Sequence, residues 1–286
     1  NFKKTKNNNS ESEYIEQLQD LHKNAVNSQL VSDVKVGSYL SGGIDSSSIS
    51  YIASEKLSNF DTFTCGFDTK LVSKNERKFD ETLQAEIISK KLKTNHHKFL
   101  IKPKHIKQSL KKITYHLEEP RVGQSYPNYF ASKLASNHVK VSLSGTGGDE
   151  LFGGYSIFNQ VPSLQSKKWL YSFPVYMRKP MGNLNHAIKG TIESAKIREI
   201  LKSPTFDLEY IYQYYRQVSM DDQVTSLLKT NNLPESRVLM DTHELIGFKK
   251  QGWGLQPLSR ISVAEMTTYM QNVLLRDADQ MSMANG

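Results

Sequence analysis

Apolar runs and helical repeats alternate along the first half of the chain. Short apolar runs predict four buried strands, at 34–40, 60–67, 97–101 and 139–143. Apolar positions at helical spacing predict five helices, at 13–30, 45–57, 76–92, 104–117 and 127–136. Strands that alternate with helices of this length are typical of an α/β fold, in which a twisted parallel sheet carries helices on both faces.

The strand pattern stops after Tyr155. Helical stretches at 192–201, 208–219 and 262–281 predict that the second half consists of helices. We therefore expect an α/β core over 13–155 and a mostly helical part of the same domain over 156–286. The polar opening at 1–12 is typical of a linker remnant.

Composition narrows the class of protein. Hydrophobic residues make up 37% of the 286 residues, which is enough to build a core. The net charge of +8 should attract anions. The single cysteine excludes a disulfide framework and a cysteine-based zinc site. No run is as long as a membrane span or resembles a signal peptide, so we expect a cytoplasmic protein. Because the chain begins at Asn1 and stops directly after a helical pattern, we expect a fragment of a longer protein.

A glycine-rich turn follows the first predicted strand. It comprises Ser41, Gly42, Gly43, Ile44, Asp45, Ser46 and Ser47. Glycines let several backbone N–H groups converge on an anion, and the helix that follows presents its positive end to the same point. The serine hydroxyls add donors, so the turn predicts a phosphate cradle. It differs from the loop of P-loop NTPases, because no lysine follows the glycines.

Asp45 would repel a phosphate in this cradle. A divalent cation that bridges the carboxylate and phosphate oxygens removes the conflict, and Mg²⁺ suits that role. The alternative is a tight strand-to-helix turn in which Asp45 caps the helix. For the Ser-Gly-Gly string alone the two interpretations are equally good, whereas the full string after an apolar strand favours the cradle.

A second glycine-rich turn follows the last predicted strand, from Ser144 to Tyr155. It adds two acids, Asp149 and Glu150, near the crevice at the strand ends where ligands bind in open parallel sheets. Acids from two strand ends suit one Mg²⁺ and a polyphosphate. The alternative is a helix N-terminus whose acids are stabilised by the helix dipole.

Three strings carry a family resemblance: SGGIDSS, SGTGGDELFGGY and the late DADQMSMANG. The first resembles the pyrophosphate-binding loop of the N-type ATP pyrophosphatases. Together the three resemble the synthetase domain of the glutamine-dependent asparagine synthetases. The resemblance implies an adenine nucleotide α-hydrolase-like fold that uses ATP and Mg²⁺. It also implies a reaction in which a carboxylate, aspartate first of all, is activated as an acyl-adenylate and then amidated by ammonia.

The resemblance also implies roles for individual residues. The pyrophosphate would be held by Ser41, Gly42, Gly43, Asp45, Ser46 and Ser47, and Mg²⁺ by Asp45 and Asp149. The base and sugar would contact Leu40, Cys65 and Gly66, and the adenylate would contact Ser144 and Gly145. The expected catalytic positions are Asp45, Asp149, Glu150, Thr146 and Gln280. Glu119 and Pro120 resemble a segment near the substrate pocket.

The chain departs from the family pattern at two positions. Thr146 stands where the family usually has Glu or Asp, and Gln280 stands where many relatives have Lys or Arg. The nearest basic alternative is Arg276, one helical turn earlier. No cysteine precedes Cys65, whereas the glutaminase half of these enzymes begins with one. Ammonia would therefore come from a glutaminase domain outside this chain.

Other clusters have simpler explanations. The pair His96–His97 lacks acids at ligand spacing, which favours a structural or solvated pair over a metal site. The lysines at 102–112 lack interleaved aromatics, which favours a solvated face, and the tyrosines at 210–215 are typical packing residues. We expect no nucleic-acid or membrane partner, and a homodimer is compatible with the sequence. Two alternatives to aspartate amidation stay open: amidation of a sugar or peptide carboxylate, and a non-catalytic nucleotide-binding module.

Overall fold

Four parallel strands form one sheet in the order β3-β2-β1-β4. The computed structural model describes residues 9–68, 80–119, 121, 123–229 and 256–286. The strands are β1 (Val36–Tyr39), β2 (Asp61–Phe67), β3 (Asn95–Ile101) and β4 (Val141–Leu143). Tyr39 of β1 lies beside Phe63 of β2, and Ser38 of β1 lies beside Leu143 of β4. All four predicted strands are present, and the predicted parallel arrangement is confirmed.

Six helices belong to the unit that contains this sheet. They are α1 (Glu11–Gln29), α2 (Ile44–Lys56), α3 (Thr82–Leu92), α4 (Pro103–Leu117), α5 (Ser125–Ala135) and, from the end of the chain, α13 (Leu275–Met283). Each of the five predicted helices of the first half has a counterpart. The predicted start of the third, at 76–79, lies outside the described residues.

The two faces of the sheet differ in chemistry. On one face, Ser50 of α2 donates a hydrogen bond to the buried Ser38 of β1 at 3.2 Å. On the other face, Phe63 of β2 packs against Ala135 of α5 and Val139. Helices therefore cover both faces, as predicted. The crossovers to β2 and β3 run to one side of β1 and the crossover to β4 runs to the other, which places helices on both faces when crossovers are right-handed.

Two helices bury a different face from the one that their apolar pattern predicts. Leu83 and Ile87 of α3 are exposed, and the buried positions of that helix include Ala85 and Ser89. On α1, only Val26 is buried. The buried positions of α2 and α3 are mostly small residues, which allow these helices to lie close to the sheet. A pattern of large apolar residues does not identify such positions.

The remaining helices form a second unit over residues 147–272. They are α6 (Gly148–Phe152), α7 (Ile157–Gln165), α8 (Val175–Lys189), α9 (Ile192–Lys202), α10 (Leu208–Arg216), α11 (Asp221–Leu228) and α12 (Pro257–Ala264). A 3₁₀ segment at Lys168–Ser172 and a π-helical segment at Glu265–Leu274 complete the described part. The predicted helical second half is confirmed, although the sequence pattern does not reveal α7, α8 or α11.

A buried carboxylate lies in the core of this helical unit. Glu265 is fully buried and pairs with Arg216, and it also accepts a hydrogen bond from the Tyr212 hydroxyl at 2.9 Å. Burial raises the pKa of Tyr212, and the nearby Glu265 charge raises it further. Tyr212 is thus a packing residue with a satisfied hydroxyl, as the sequence analysis expects of the tyrosines at 210–215.

The expected boundary at Tyr155 stays a prediction. The sheet unit runs to Thr146 and also contains residues 273–286. Helix α13 therefore belongs to the sheet unit. This helix packs on α5 through Ser132, whose hydroxyl donates to the carbonyl of Met281 at 2.8 Å. None of the helices that the structure describes is long and apolar enough to cross a bilayer.

Asp61 is a buried carboxylate at the beginning of β2, with 3% of the residue exposed. It pairs with Lys35 and with Nε2 of His97, which lies 2.8 Å from Asp61 Oδ1. Burial raises the pKa of Asp61, but the hydrogen bonds from Lys35 and His97 outweigh it, so the pKa lies below its usual value.

Asp61→Asn should lower the free energy of unfolding by about 1–3 kcal/mol at neutral pH, because the variant loses a charged acceptor. A depressed carboxyl pKa contributes stability that is present above the unfolded pKa of about 3.9 and is lost as the pH falls through the folded pKa. Urea unfolding between neutral pH and the lowest pH at which the protein stays folded should therefore show a shallower acid loss in the variant. Equal slopes for both proteins would contradict this assignment.

Candidate functional site

Two glycine-rich loops lie at neighbouring strand ends. The first, residues 41–43, follows β1, and the second, residues 144–146, follows β4. β1 and β4 are paired in the sheet, and the chain leaves β1 toward β2 on the other side. The crevice between β1 and β4 is therefore the topological switch point, the place where open parallel sheets bind ligands.

Hydroxyl groups hold the first loop together. Ser46, in the first turn of α2, has its Oγ 2.8 Å from Ser41 Oγ and accepts the Ser41 N–H at 3.0 Å. Ser41 Oγ also accepts the Gly43 N–H at 3.1 Å. Ser47 Oγ instead donates to the Gly43 carbonyl at 2.7 Å. These bonds fix the loop against the beginning of α2, whose N-cap is Gly43.

Close packing explains two of the glycines. A Cβ at Gly42 would lie 2.6 Å from Cβ of Gln84 on α3. A Cβ at Gly145 would lie 2.7 Å from the backbone nitrogen of Ser46. The second loop therefore approaches the first turn of α2 so closely that only glycine fits. The structure thus brings together the two loops that the sequence analysis predicts at one site.

The three residues expected to contact the base and sugar of ATP have little exposed surface: Leu40 and Gly66 are buried, and Cys65 is partly buried. Leu40 is 2% exposed, and its carbonyl accepts the hydroxyl of Thr64. Cys65 packs against the core cluster that contains Phe130, and burial raises the pKa of its thiol to about 12. A Cβ at Gly66 would collide with Thr82. Cys65 is thus a small, partly buried residue with an unreactive thiol.

The second loop has its own internal hydrogen bonds. Ser144 and Thr146 are both exposed, and their hydroxyl oxygens lie 2.8 Å apart. The Thr146 N–H also donates to Ser144 Oγ at 3.3 Å. Thr146 can donate or accept in its pair with Ser144, whereas a carboxylate at this position could only accept.

Asp149 and Glu150 lie in α6, in the helical unit. Glu150 is 1% exposed and accepts the Tyr155 hydroxyl at 2.7 Å. Burial raises the pKa of Tyr155, and the hydrogen bond to Glu150 raises it further. Asp149 lies against Gly154, where a Cβ would collide with its carboxylate. Within the described residues, no group of three or more His, Cys, Asp and Glu side chains could hold a metal ion.

A buried charge network that the sequence analysis missed joins α13 to the segment before α5. Asp277 of α13 is fully buried and accepts Nη1 of Arg121 at 2.9 Å, the Ser125 hydroxyl at 2.9 Å and the Gln124 N–H at 3.0 Å. A Cβ at Gly123 would collide with the Asp277 carboxylate. About 150 residues separate the partners along the chain, so no local pattern predicts the pair.

The network continues toward solvent through Glu119. This carboxylate pairs with Arg121 and lies 3.0 Å from Nη1 of Arg276. The hydrogen bond from Arg121 lowers the pKa of Glu119. Tyr126, at the beginning of α5, packs in the same cluster as Cys65 near the end of β2. Pro120 lies outside the described residues.

Comparison with known proteins decides the family. The family described as asparagine synthase matches residues 17–286. The chain belongs to the asparagine synthase family. The glutamine-hydrolysing asparagine synthetase 1 of Bacillus subtilis is 30% identical over 279 residues, which is 96% of this chain and 41% of that protein. The glutamine-hydrolysing asparagine synthetase of Zea mays is 31% identical over 160 residues, 51% of this chain and 26% of that protein.

This asparagine synthase domain spans about two fifths of the length of the first of these relatives. A solved structure that is similar is the NH3-dependent NAD synthetase from Campylobacter jejuni in complex with the nitrate ion, with a TM-score of 0.30 and 16% identity. That comparison covers 91% of this chain and 93% of the NAD synthetase.

The two departures from the family pattern have different surroundings. Thr146 lies in the exposed second loop described above, whereas Gln280 lies on α13, where its buried Oε1 has no hydrogen-bond partner among the described residues. Arg276, the basic alternative, is 48% exposed and is engaged with Glu119. His96 and His97 have different partners: His96 Nδ1 lies 3.0 Å from the Thr62 hydroxyl, and His97 pairs with Asp61.

Asp277→Ala should destabilise the asparagine synthase domain by about 3–5 kcal/mol, because it removes the buried charge partner of Arg121 and leaves only the more exposed Glu119 beside it. Asp279→Ala is the matched control: this carboxylate lies on the exposed face of the same helix, and its removal should change the free energy of unfolding by less than about 0.5 kcal/mol. Chemical denaturation of both variants measures the difference. A small effect at Asp277, equal to that at Asp279, would show that the network does not hold α13 in place.

Proposed function

We propose that this domain is the ATP-using half of an amide-forming ligase of the asparagine synthetase type. A substrate carboxylate attacks the α-phosphorus of ATP, forming an acyl-adenylate and releasing pyrophosphate. Ammonia then attacks the acyl carbon, and AMP leaves as the amide forms. Aspartate is the proposed acceptor, with its side-chain carboxylate as the group that is activated.

The observation that carries the proposal is the joining of the two loops at the switch point. Family membership supports ATP-dependent amidation as the class of reaction. The approach of Gly145 to the backbone nitrogen of Ser46 supports a shared anion site, because it leaves no room for a side chain between the loops. Helix N-termini and glycine loops bind phosphates through backbone N–H groups.

Within this site, the first loop would bind the pyrophosphate. The hydroxyls of Ser41 and Ser46 already lie within hydrogen-bond distance of each other, and the first turn of α2 follows them directly. Preorganised donors of this kind stabilise the negative charge that develops on pyrophosphate as it leaves. The exposed Ser144 and its neighbour Gly145 are proposed to contact the adenylate.

The donor types fit Mg²⁺. Asp45 stands in the first turn of α2 among serine hydroxyls, and hard oxygen ligands suit this ion. Asp45 is therefore the proposed ligand from the first loop, and Asp149 is proposed as a ligand from the family resemblance. Bound Mg²⁺ would neutralise charge on the leaving pyrophosphate. A cytoplasmic location, a homodimer and a supply of ammonia from a glutaminase domain stay predictions.

A second candidate is a nucleotide-binding module without ligase activity. Two observations favour it: Thr146 lacks the acid usual at its position, and Gln280 lacks the positive charge. Within the enzyme class, the runner-up is amidation of a sugar or peptide carboxylate. ATP binding without any carboxylate-dependent release of pyrophosphate would favour the non-catalytic module. Release that depends on another carboxylate would favour the runner-up.

The decisive measurement is pyrophosphate release by the full-length protein with Mg-ATP and ammonium, with and without aspartate. Asp45→Asn should lower the aspartate-dependent rate by at least about a hundredfold, because it removes a charged ligand from the pyrophosphate site. Asp33→Asn is the matched control, since Asp33 is an exposed carboxylate just before β1, at the other end of that strand. An equal loss in both variants, or unchanged release in Asp45→Asn, would exclude the proposed role of Asp45.

A further inference from the structure

The helical unit exposes one continuous apolar stripe along α8. Met177, Met181, Leu184 and Ile188 follow one another at steps of four, three and four residues, which places them on one side of a helix. Their exposed fractions run from 47% at Met177 to 75% at Ile188. Large exposed apolar surfaces mark sites of interaction, whereas single exposed residues do not.

Aromatic residues extend the stripe before the helix begins. Trp169 and Phe173 are 61% and 40% exposed, and their ring centroids lie 6.1 Å apart. Phe173 lies just before the beginning of α8 at Val175. Tyr176 adds a further exposed ring, at 71%. Amphipathic aromatic side chains of this kind are enriched where an apolar phase meets water.

The opposite side of α8 is fixed by its neighbour α9. Arg178 is 3% exposed, and its guanidinium donates to the carbonyls of Phe173, Leu201 and Ser203. Gly182 lets α9 approach, because a Cβ there would lie 3.1 Å from Cα of Arg198. The structure therefore holds α8 on a scaffold that presents the apolar stripe outward.

The charged residues of the segment that carries the stripe are all basic. No Asp or Glu occurs in residues 151–192, although both types occur on either side. The exposed basic residues of this segment are Lys167, Lys168, Lys179 and Lys189. A second copy of this surface would be repelled by the same charges, whereas an anionic surface would be attracted.

We propose that the stripe from Trp169 to Ile188, with its lysines, is a docking surface for an anionic lipid membrane. A scaffolded helix with apolar and aromatic residues on one side and lysines around it is typical of proteins that lie in the membrane interface. The apolar side chains would enter the boundary between headgroups and acyl chains, and Lys167, Lys168 and Lys189 would contact lipid phosphates. Lys179 follows Met177 by two residues and lies on the other side of α8. The expectation of no membrane partner rests on the lack of a spanning segment, and a helix lying in the interface needs none.

The test is co-sedimentation of the full-length protein with phosphatidylcholine vesicles, prepared with and without phosphatidylglycerol. We expect binding to the anionic vesicles only. Raising the salt from about 0.1 M to about 1 M shortens the Debye length from about 10 Å to about 3 Å and should weaken binding by about tenfold or more. Equal binding to both kinds of vesicle, or no binding to either, would overturn the proposal.

Two variants test whether vesicle binding depends on the stripe itself or on exposed apolar residues anywhere on the protein. Leu184→Asp should lower binding to anionic vesicles by about tenfold or more, because it places a carboxylate within the stripe. Leu227→Asp is the matched control: it makes the same change at a leucine that is 80% exposed on α11, and it should bind as the unaltered protein does. Circular dichroism and thermal melting confirm that both variants fold. Size-exclusion chromatography without lipid tests the other occupant: a dimer that Leu184→Asp dissociates would overturn the proposal in favour of a protein interface.

Discussion

The contact between Gly145 and the first turn of α2 is the constraint on which the candidate site depends. A side chain at position 145 would lie 2.7 Å from the Ser46 backbone nitrogen, so the two loops can share an anion only because the residue is glycine. The sheet order makes the contact available, since β1 and β4 are paired although about 100 residues separate them along the chain. Backbone packing thus brings the two glycine strings to one place, and the hydroxyl bonds around Ser46 then order the donors.

A second constraint holds the far end of the chain on the sheet unit. Asp277 receives two hydrogen bonds from the segment before α5 and one from Ser125, the first residue of α5. Farther along, the side-chain amide of Asn285 donates to the carbonyls of Tyr129 and Met281, both at 3.0 Å. Buried polar groups satisfied in this way specify one arrangement, because any other packing would leave them unpaired. The late sequence string therefore has a structural role as well as the functional one that the family resemblance implies.

Much of the fold follows from the sequence because buried parallel strands appear as apolar runs bounded by glycine turns. The same reasoning fails where packing depends on small residues, as on α3, whose apolar Leu83 and Ile87 are exposed. It also fails for α8, because Pro180 and Gly182 have low helix propensity and their presence in the sequence argues against a helix there. Of the candidate site, the two loops follow from their motifs. The pairing of Arg121 with Asp277 does not, because it depends on which distant segments the tertiary fold brings together.

Thr146 and Gln280, the two residues that depart from the family pattern, differ in whether their side-chain polar groups have hydrogen-bond partners. The Thr146 hydroxyl lies 2.8 Å from that of Ser144, so threonine fits its loop without an unpaired polar group. Gln280 differs, because its Oε1 is buried and has no partner among the described residues. An unsatisfied buried acceptor costs about 1–3 kcal/mol. Glutamine at position 280 therefore carries a cost that the described residues do not offset, whereas Thr146 is explained by the packing of its own loop.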